Sequence, residues 1–218
     1  MAVQNTLPDP VNTIDNAGTD AGGGVAGPGF KTVKLTSNQP VLTSRSRTGI
    51  TYRRINQYHQ WKVDISYNKL TKAQFNTVYP FLLQRQSFQE AFFVDLPQYN
   101  NTGSITTSVP NISQPAGQHY LAVTNSANIQ KGDLLTISDS TDATHKKAYK
   151  VTAIDSSNHY LFVTPTLQRK VDKTSGATIS FNVTTPKIRV IAVGSTIDYT
   201  LDSTGLYSFS VKLEEALS

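Results

Sequence analysis

The chain is expected to be mainly β, a sandwich-like domain with one α-helix that carries an inserted small β-barrel-like module. Three observations predict this. Trp61, Val63, Ile65 and Tyr67 alternate with Lys62, Asp64 and Ser66, and Tyr207, Phe209, Val211 and Leu213 alternate with Ser208, Ser210 and Lys212; this period-2 pattern is that of half-buried strands. Between Pro115 and Asn182, short apolar runs recur at roughly 10-residue spacing with turn residues between them, as in small barrels and compact sandwiches. Charged residues make up only 16% of the 218 residues, while Thr, Ser, Asn and Gln are abundant. That composition suits strands and turns better than a charged helical bundle.

Residues 1–30 read as an extended N-terminal arm. The stretch holds Pro8, Pro10, Gly22, Gly23, Gly24, Gly27, Pro28 and Gly29 and has no apolar periodicity. Such a segment buries too little to fold alone and is expected to order on a neighbouring subunit. Residues 31–97 then open a core domain. TVKLTSNQPVL alternates around Val33 and Leu35 and turns near Asn38–Pro40. ITYRRI and YHQWKVDISYN follow as a strand pair with a turn near Asn56. Thr71 and Gln74 have capping-box spacing, and Phe75, Val78, Tyr79, Leu82 and Leu83 fall on one helical face, so a helix is expected over 71–86. Pro80 should kink it or split it after Tyr79. Ala91–Leu96 is the next strand, stopped by Pro97.

Residues 98–185 are read as a linker and an inserted small β module. HYLAVTN, LLTIS, AYKVTAI, HYLFVTP and ATISFNV are its strands, with turns at Lys131-Gly132-Asp133 and Asp155–Asn158. His119 to Thr124 is echoed by His159 to Thr164, a likeness expected of two strands of one barrel. Residues 186–218 return to the first domain, where KIRVIAVGS and YTLDSTGLYSFSVKLEEAL close it. A surface loop tolerates such an insertion well.

No catalytic, cofactor-binding or metal-binding residues are assigned. The absence of cysteine excludes disulfides, thiolate metal sites and cysteine nucleophiles. His59, His119, His145 and His159 lack metal-ligand spacing. Asp139 and Asp142 sit in a loop without the glycine and closing glutamate of a calcium site. Glu214 and Glu215 are adjacent on a strand and point to opposite faces, so they cannot flank one substrate bond; they are expected to charge an edge or pair with a neighbour's arginine. No nucleophile elbow or phosphate-binding loop occurs. No apolar run is long enough to span a bilayer, and the N-terminus lacks a signal-peptide pattern.

Net charge is +5 and unevenly placed. No acid occurs from Ala21 to Val63, a stretch that carries Lys31, Lys34, Arg45, Arg47, Arg53, Arg54 and Lys62. A basic stripe serves either nucleic acid or a complementary protein surface. No nucleic-acid motif accompanies it, so sequence-specific nucleic-acid binding is not expected. Arginine beside tyrosine is typical of interface hot spots. Arg45, Arg47, Tyr52, Arg53, Arg54, Tyr58, Glu214 and Glu215 are therefore the candidate subunit-interface residues.

The aromatic strand around Trp61, the helix start Leu70-Thr71-x-x-x-Phe75, the path from Phe81 through FLLQRQ to Pro97 and the ending Tyr207-x-Phe-x-Val-x-Leu-Glu-Glu together resemble bacteriophage distal-tail, minor tail and baseplate ring proteins. The resemblance covers about 45–97 and 186–217. It implies a structural, non-enzymatic virion protein at the distal end of the tail, synthesised in the host cytoplasm. It also implies a homo-oligomeric ring, commonly six-fold, that joins the tail tube to the baseplate or tail tip. The insert would then face fibres or a receptor-binding protein. The alternative is a carbohydrate-binding or adhesin module that stacks sugars on Tyr99, Tyr120 or Tyr160.

Overall fold

The computed structural model describes residues 5–15, 24–55, 58–85, 89–99, 113–139, 147–171, 179–194 and 196–216. The fold is mainly β. In chain order the elements are β1 (Thr13–Ile14), β2 (Val25–Ala26), β3 (Phe30–Asn38), β4 (Val41–Arg45), β5 (Thr51–Ile55), β6 (Gln60–Tyr67), α1 (Lys72–Gln84) and β7 (Phe92–Asp95). They continue with β8 (Tyr120–Ala122), β9 (Leu134–Asp139), β10 (Ala148–Asp155), β11 (Tyr160–Thr164), β12 (Ile179–Asn182), β13 (Lys187–Ala192), β14 (Tyr199–Leu201) and β15 (Tyr207–Glu215). The chain divides into two compact units, residues 1–92 with 190–216, and residues 93–189 with 217–218. The divisions fall inside β7 and β13.

One sheet runs in the order β3-β6-β15-β13-β7, with β14 added on β15. The alternation in β6 places Trp61, Val63, Ile65 and Tyr67 in the core, and that in β15 buries Phe209, Val211 and Leu213. The two strands pair antiparallel, with Leu213 opposite Val63 and Val211 opposite Ile65. Helix α1 contributes Phe75, Val78, Phe81 and Leu82 to buried positions. Thr71 caps it, and the Gln74 side chain accepts from the Thr71 N–H at 3.0 Å, closing the capping box. The helix runs continuously through Pro80 instead of splitting after Tyr79. Proline removes the donor to the Asn76 carbonyl, and Asn76 lies on the exposed side, where water can replace that bond.

One expectation for this unit is corrected. ITYRRI does not pair with the following strand: β5 pairs with β4, and β6 pairs with β3 and β15. The reversal lies at 46–50, where the Ser46 N–H donates to the Ile50 carbonyl at 2.8 Å and the Gly49 N–H to the Ser46 carbonyl at 3.0 Å. Gly49 has φ of 86°, a conformation that costs side chains with a Cβ and not glycine.

The described part of the N-terminal stretch packs within its own chain. Leu7 is 0% exposed within its own chain, and β1 pairs with β2. The Asp9 carboxylate accepts from the Val11 N–H, the Asn12 N–H and the Asn12 amide, each at 2.7 Å. The glycines permit close backbone approach: a Cβ on Gly27 would stand 2.3 Å from the Pro8 carbonyl carbon.

The second unit holds a sheet in the order β12-β9-β10-β11-β8. Its core includes Leu121, Leu135, Ile137, Tyr149, Val151, Leu161, Val163 and Phe181. The echoed segments are neighbours in it: β8 and β11 pair antiparallel, with Leu121 opposite Leu161. Gly132 (φ 102°) makes the expected turn, its N–H donating to the Val151 carbonyl at 2.8 Å. Asp155 shapes the next, accepting from the Ser157 and Asn158 N–H groups and the Asn158 amide. Those bonds hold its carboxyl below the ordinary range, the Asn158 side chain first among them.

Candidate interface ribbon

β4 and β5 form a two-stranded sheet by themselves, with Val41 opposite Ile55 and Arg45 opposite Thr51. The ribbon continues the β3–β6 pair beyond Asn38 and Gln60. Every residue of β4 is exposed, as are Thr51, Tyr52, Arg53 and Arg54. Directly opposed residues share a face. One face therefore carries Val41, Thr43, Arg45, Thr51 and Arg53, and the other Leu42, Ser44, Tyr52 and Arg54.

This is an unusual exterior. Leu42 is 63% exposed and Tyr52 59%, with Val41 and Ile50 exposed beside them. A lone hairpin without a covered face is marginal in water. Among the described residues, Arg45, Arg47, Arg53 and Arg54 make no ion pair. Four guanidinium groups on one ribbon and its turn give a local positive field with fork-shaped donors free for carboxylates.

Of the candidate interface residues, Arg45, Tyr52, Arg53 and Arg54 come together on the ribbon, with Arg47 in its turn. Tyr58 lies at the base, exposed, and its hydroxyl titrates above the ordinary tyrosine value. Partial burial is the main cause, with the charges of Glu214 and Glu215 adding to it. Glu214 is half-buried opposite Lys62. Glu215 is not on an open edge. It is 1% exposed, its carboxylate accepts from the Trp61 N–H at 3.2 Å, and its carbonyl accepts from the Gln60 amide at 3.1 Å. The alternation of β15 turns it to the inner face, where it ties the end of β15 to the start of β6.

The other singled-out residues sit in packing roles. His59 is buried edge-on to Trp61 at 4.6 Å and 2.9 Å from the Ser37 hydroxyl. His119 stacks on Phe162, and His159 lies 3.4 Å from the Ser126 hydroxyl. Asp139 ends β9; His145 and Asp142 lie outside the described residues. Among the described residues no three His, Cys, Asp or Glu side chains gather as a metal site, and no helix is long and apolar enough to cross a membrane. Tyr99 is engaged by Lys150, whose Nζ lies 5.2 Å from the ring centre and 3.1 Å from its hydroxyl. Tyr120 and Tyr160 pack on each other at 4.9 Å.

Sequence reasoning missed Val41, Leu42 and Ile50 as ribbon residues, and also a second exposed apolar cluster. Tyr199 and Leu201 of β14 are 47% and 56% exposed, and Leu83 of α1 is exposed as well. Tyr199 packs on Tyr79 at 5.2 Å, and Leu83 is one helical turn from Tyr79.

The architecture is that of a mainly β protein whose most distinctive surface is an exposed, arginine-bearing ribbon. Residues 7–99 match the family model of distal tail protein pb9, A domain, N-terminal. Over that segment the chain resembles the phage distal-tail family, and the likeness marks it as a structural component of a phage tail. No curated protein matches the chain.

Proposed function

We propose that the chain forms an oligomeric ring at the distal end of the tail, joining the tail tube to the baseplate or tail tip, and that the β4–β5 ribbon makes the subunit contact. The observation that carries this reading is the ribbon itself: a hairpin that is exposed on both faces and bears arginines beside Leu42 and Tyr52 that make no ion pair among the described residues. Such a surface gains from burial against a second molecule, about 25 cal/mol for each Å² of apolar area covered. The role is mechanical, without catalysis. Residues 98–185 serve as an insertion that offers a separate face to fibres or a receptor-binding protein.

The test is Arg53→Glu with Arg54→Glu. Both side chains are exposed, so the subunit should keep its fold and its unfolding midpoint, while assembly of complete tails is lost. Intact tails built from a folded double variant would refute the ribbon as the contact.

A further inference from the structure

Every large apolar side chain that is clearly exposed among the described residues belongs to the first unit. Apart from Val11, Val25 and Val193, they form two groups. One is the ribbon with its base: Val41, Leu42, Ile50, Tyr52 and Tyr58. The other is β14 with the end of α1: Tyr199, Leu201 and Leu83.

The pairing register places these groups at opposite ends of the sheet. The ribbon grows from the start of β6, and β6 meets the Glu214 end of β15, with Lys62 opposite Glu214. β14 meets the other end of β15, with Tyr199 opposite Phe209 and Leu201 opposite Tyr207. β15 is nine residues long, so its ends lie eight steps apart, about 26 Å at 3.3 Å per residue.

The two patches are alike in their apolar side chains and opposite in the charge of their neighbours. The Leu42 face of the ribbon offers Leu42 and Tyr52 with Arg54 beside them. The β14 patch offers Tyr199 and Leu201, and exposed Asp198 immediately precedes them in the chain. β14 is an edge strand of three residues, all exposed, paired only with β15 among the described residues. Ribbon-on-ribbon pairing would instead set arginines against arginines, which is unfavourable.

We infer that the ribbon of one copy docks, through its Leu42–Tyr52–Arg54 face, on the Asp198–Tyr199–Leu201 patch of the next copy. This rests on the ring reading and adds the receiving surface to it. Two different patches at opposite ends of one sheet make a heterologous, head-to-tail contact, the kind that closes into rings.

The chain has no cysteine, so introduced cysteines report without background. Phage carrying Leu42→Cys with Leu201→Cys in this chain are purified, oxidised and run on a non-reducing gel probed with an antibody to the chain. The 23.8 kDa band should convert to a ladder of covalent multiples, while each single variant stays at one subunit. Tyr52→Cys in place of Leu42→Cys should give the same ladder, and adding Asp198→Lys should lower its yield at least threefold. Chain present in the particles with no ladder from either pair overturns the receiving surface and leaves the ring reading standing. Dimers from Leu42→Cys alone overturn it in favour of ribbon-on-ribbon contact. Absence of the chain from wild-type particles overturns the ring reading itself.

Discussion

Gly27→Ala tests whether the N-terminal segment belongs to its own subunit. An alanine Cβ would lie 2.3 Å from the Pro8 carbonyl carbon, 2.4 Å from its oxygen and 2.6 Å from the Asp9 nitrogen, all backbone atoms that cannot rotate away. The 5–15 segment must therefore lift. Lifting exposes Leu7, worth about 1.5–3 kcal/mol. It also breaks the Gly27 N–H to Asp9 carbonyl bond of 2.9 Å, worth about 0.5–1.5 kcal/mol. Against this, alanine reduces the freedom of the unfolded chain by about 0.4–1 kcal/mol. The net loss is about 1–4 kcal/mol, a fall in Tm on the order of 10 °C for a chain of this size. Gly29→Ala is the control: its Cβ would meet only Pro10 Cγ, at an ordinary 3.7 Å, so it should be neutral or slightly stabilising. Urea and thermal unfolding of both variants decide the matter. A Gly27→Ala loss below about 0.5 kcal/mol, or an equal loss in Gly29→Ala, would refute the packing of this segment.

Two further outcomes follow from buried and bonded groups. The Tyr67 hydroxyl is buried with no hydrogen-bond partner among the described residues, and burial, then the Asp9 charge, push its titration upward. Its stabilising term is present below the ordinary tyrosine value near 10 and is lost as pH rises above it, so Tyr67→Phe should flatten the alkaline decline in Tm and add about 1–3 kcal/mol at neutral pH. A less stable Tyr67→Phe would show the hydroxyl to be satisfied. The Asp202 carboxyl is held well below the usual range by Lys69, then by Thr204 and the Leu206 N–H. Its contribution is present above the unfolded value near 4 and lost as pH falls below it, so Asp202→Asn should show a shallower acid slope in unfolding midpoint than the wild type. Identical slopes would remove Asp202 from the account.

What could be read from the sequence was what leaves a periodic mark. Trp61 to Tyr67 and Tyr207 to Leu213 alternate because each strand has one buried face, and both were legible for that reason. Thr71 and Gln74 marked the helix start because capping needs those side chains at that spacing. The ribbon strand Val41–Arg45 left no mark, since a strand with neither face covered has no reason to alternate. Its arginines and Tyr52 could be picked out by composition and by the missing acids, but not its exposed Leu42. The Gly-rich N-terminal stretch was ambiguous for a related reason. Glycine signals a flexible chain and close backbone packing alike, and only the neighbours of Gly24 and Gly27 separate the two. Glu215 looked like surface charge because residue type outweighed its register with the inward residues of β15.

The two units differ in how finished their surfaces are. Among the described residues, the second unit encloses its own core and exposes no large apolar side chain, while the first leaves apolar groups at both ends of its sheet. An exposed apolar edge is an aggregation hazard for a free subunit. The arginines temper it. Ribbon residues Arg45, Arg53 and Arg54, with Arg47 in the turn, repel a second ribbon at the range where Leu42 and Tyr52 would otherwise pair two copies symmetrically. A symmetric pair would be a dead end for a ring, because it consumes both ribbons and leaves both β14 patches empty. The same charges that keep the free subunit from that pairing are attracted by an acid-bearing patch such as that of Asp198. The ribbon thus discriminates by repulsion as much as by attraction, and neutralising its arginines should favour symmetric dimers over growth to a closed assembly.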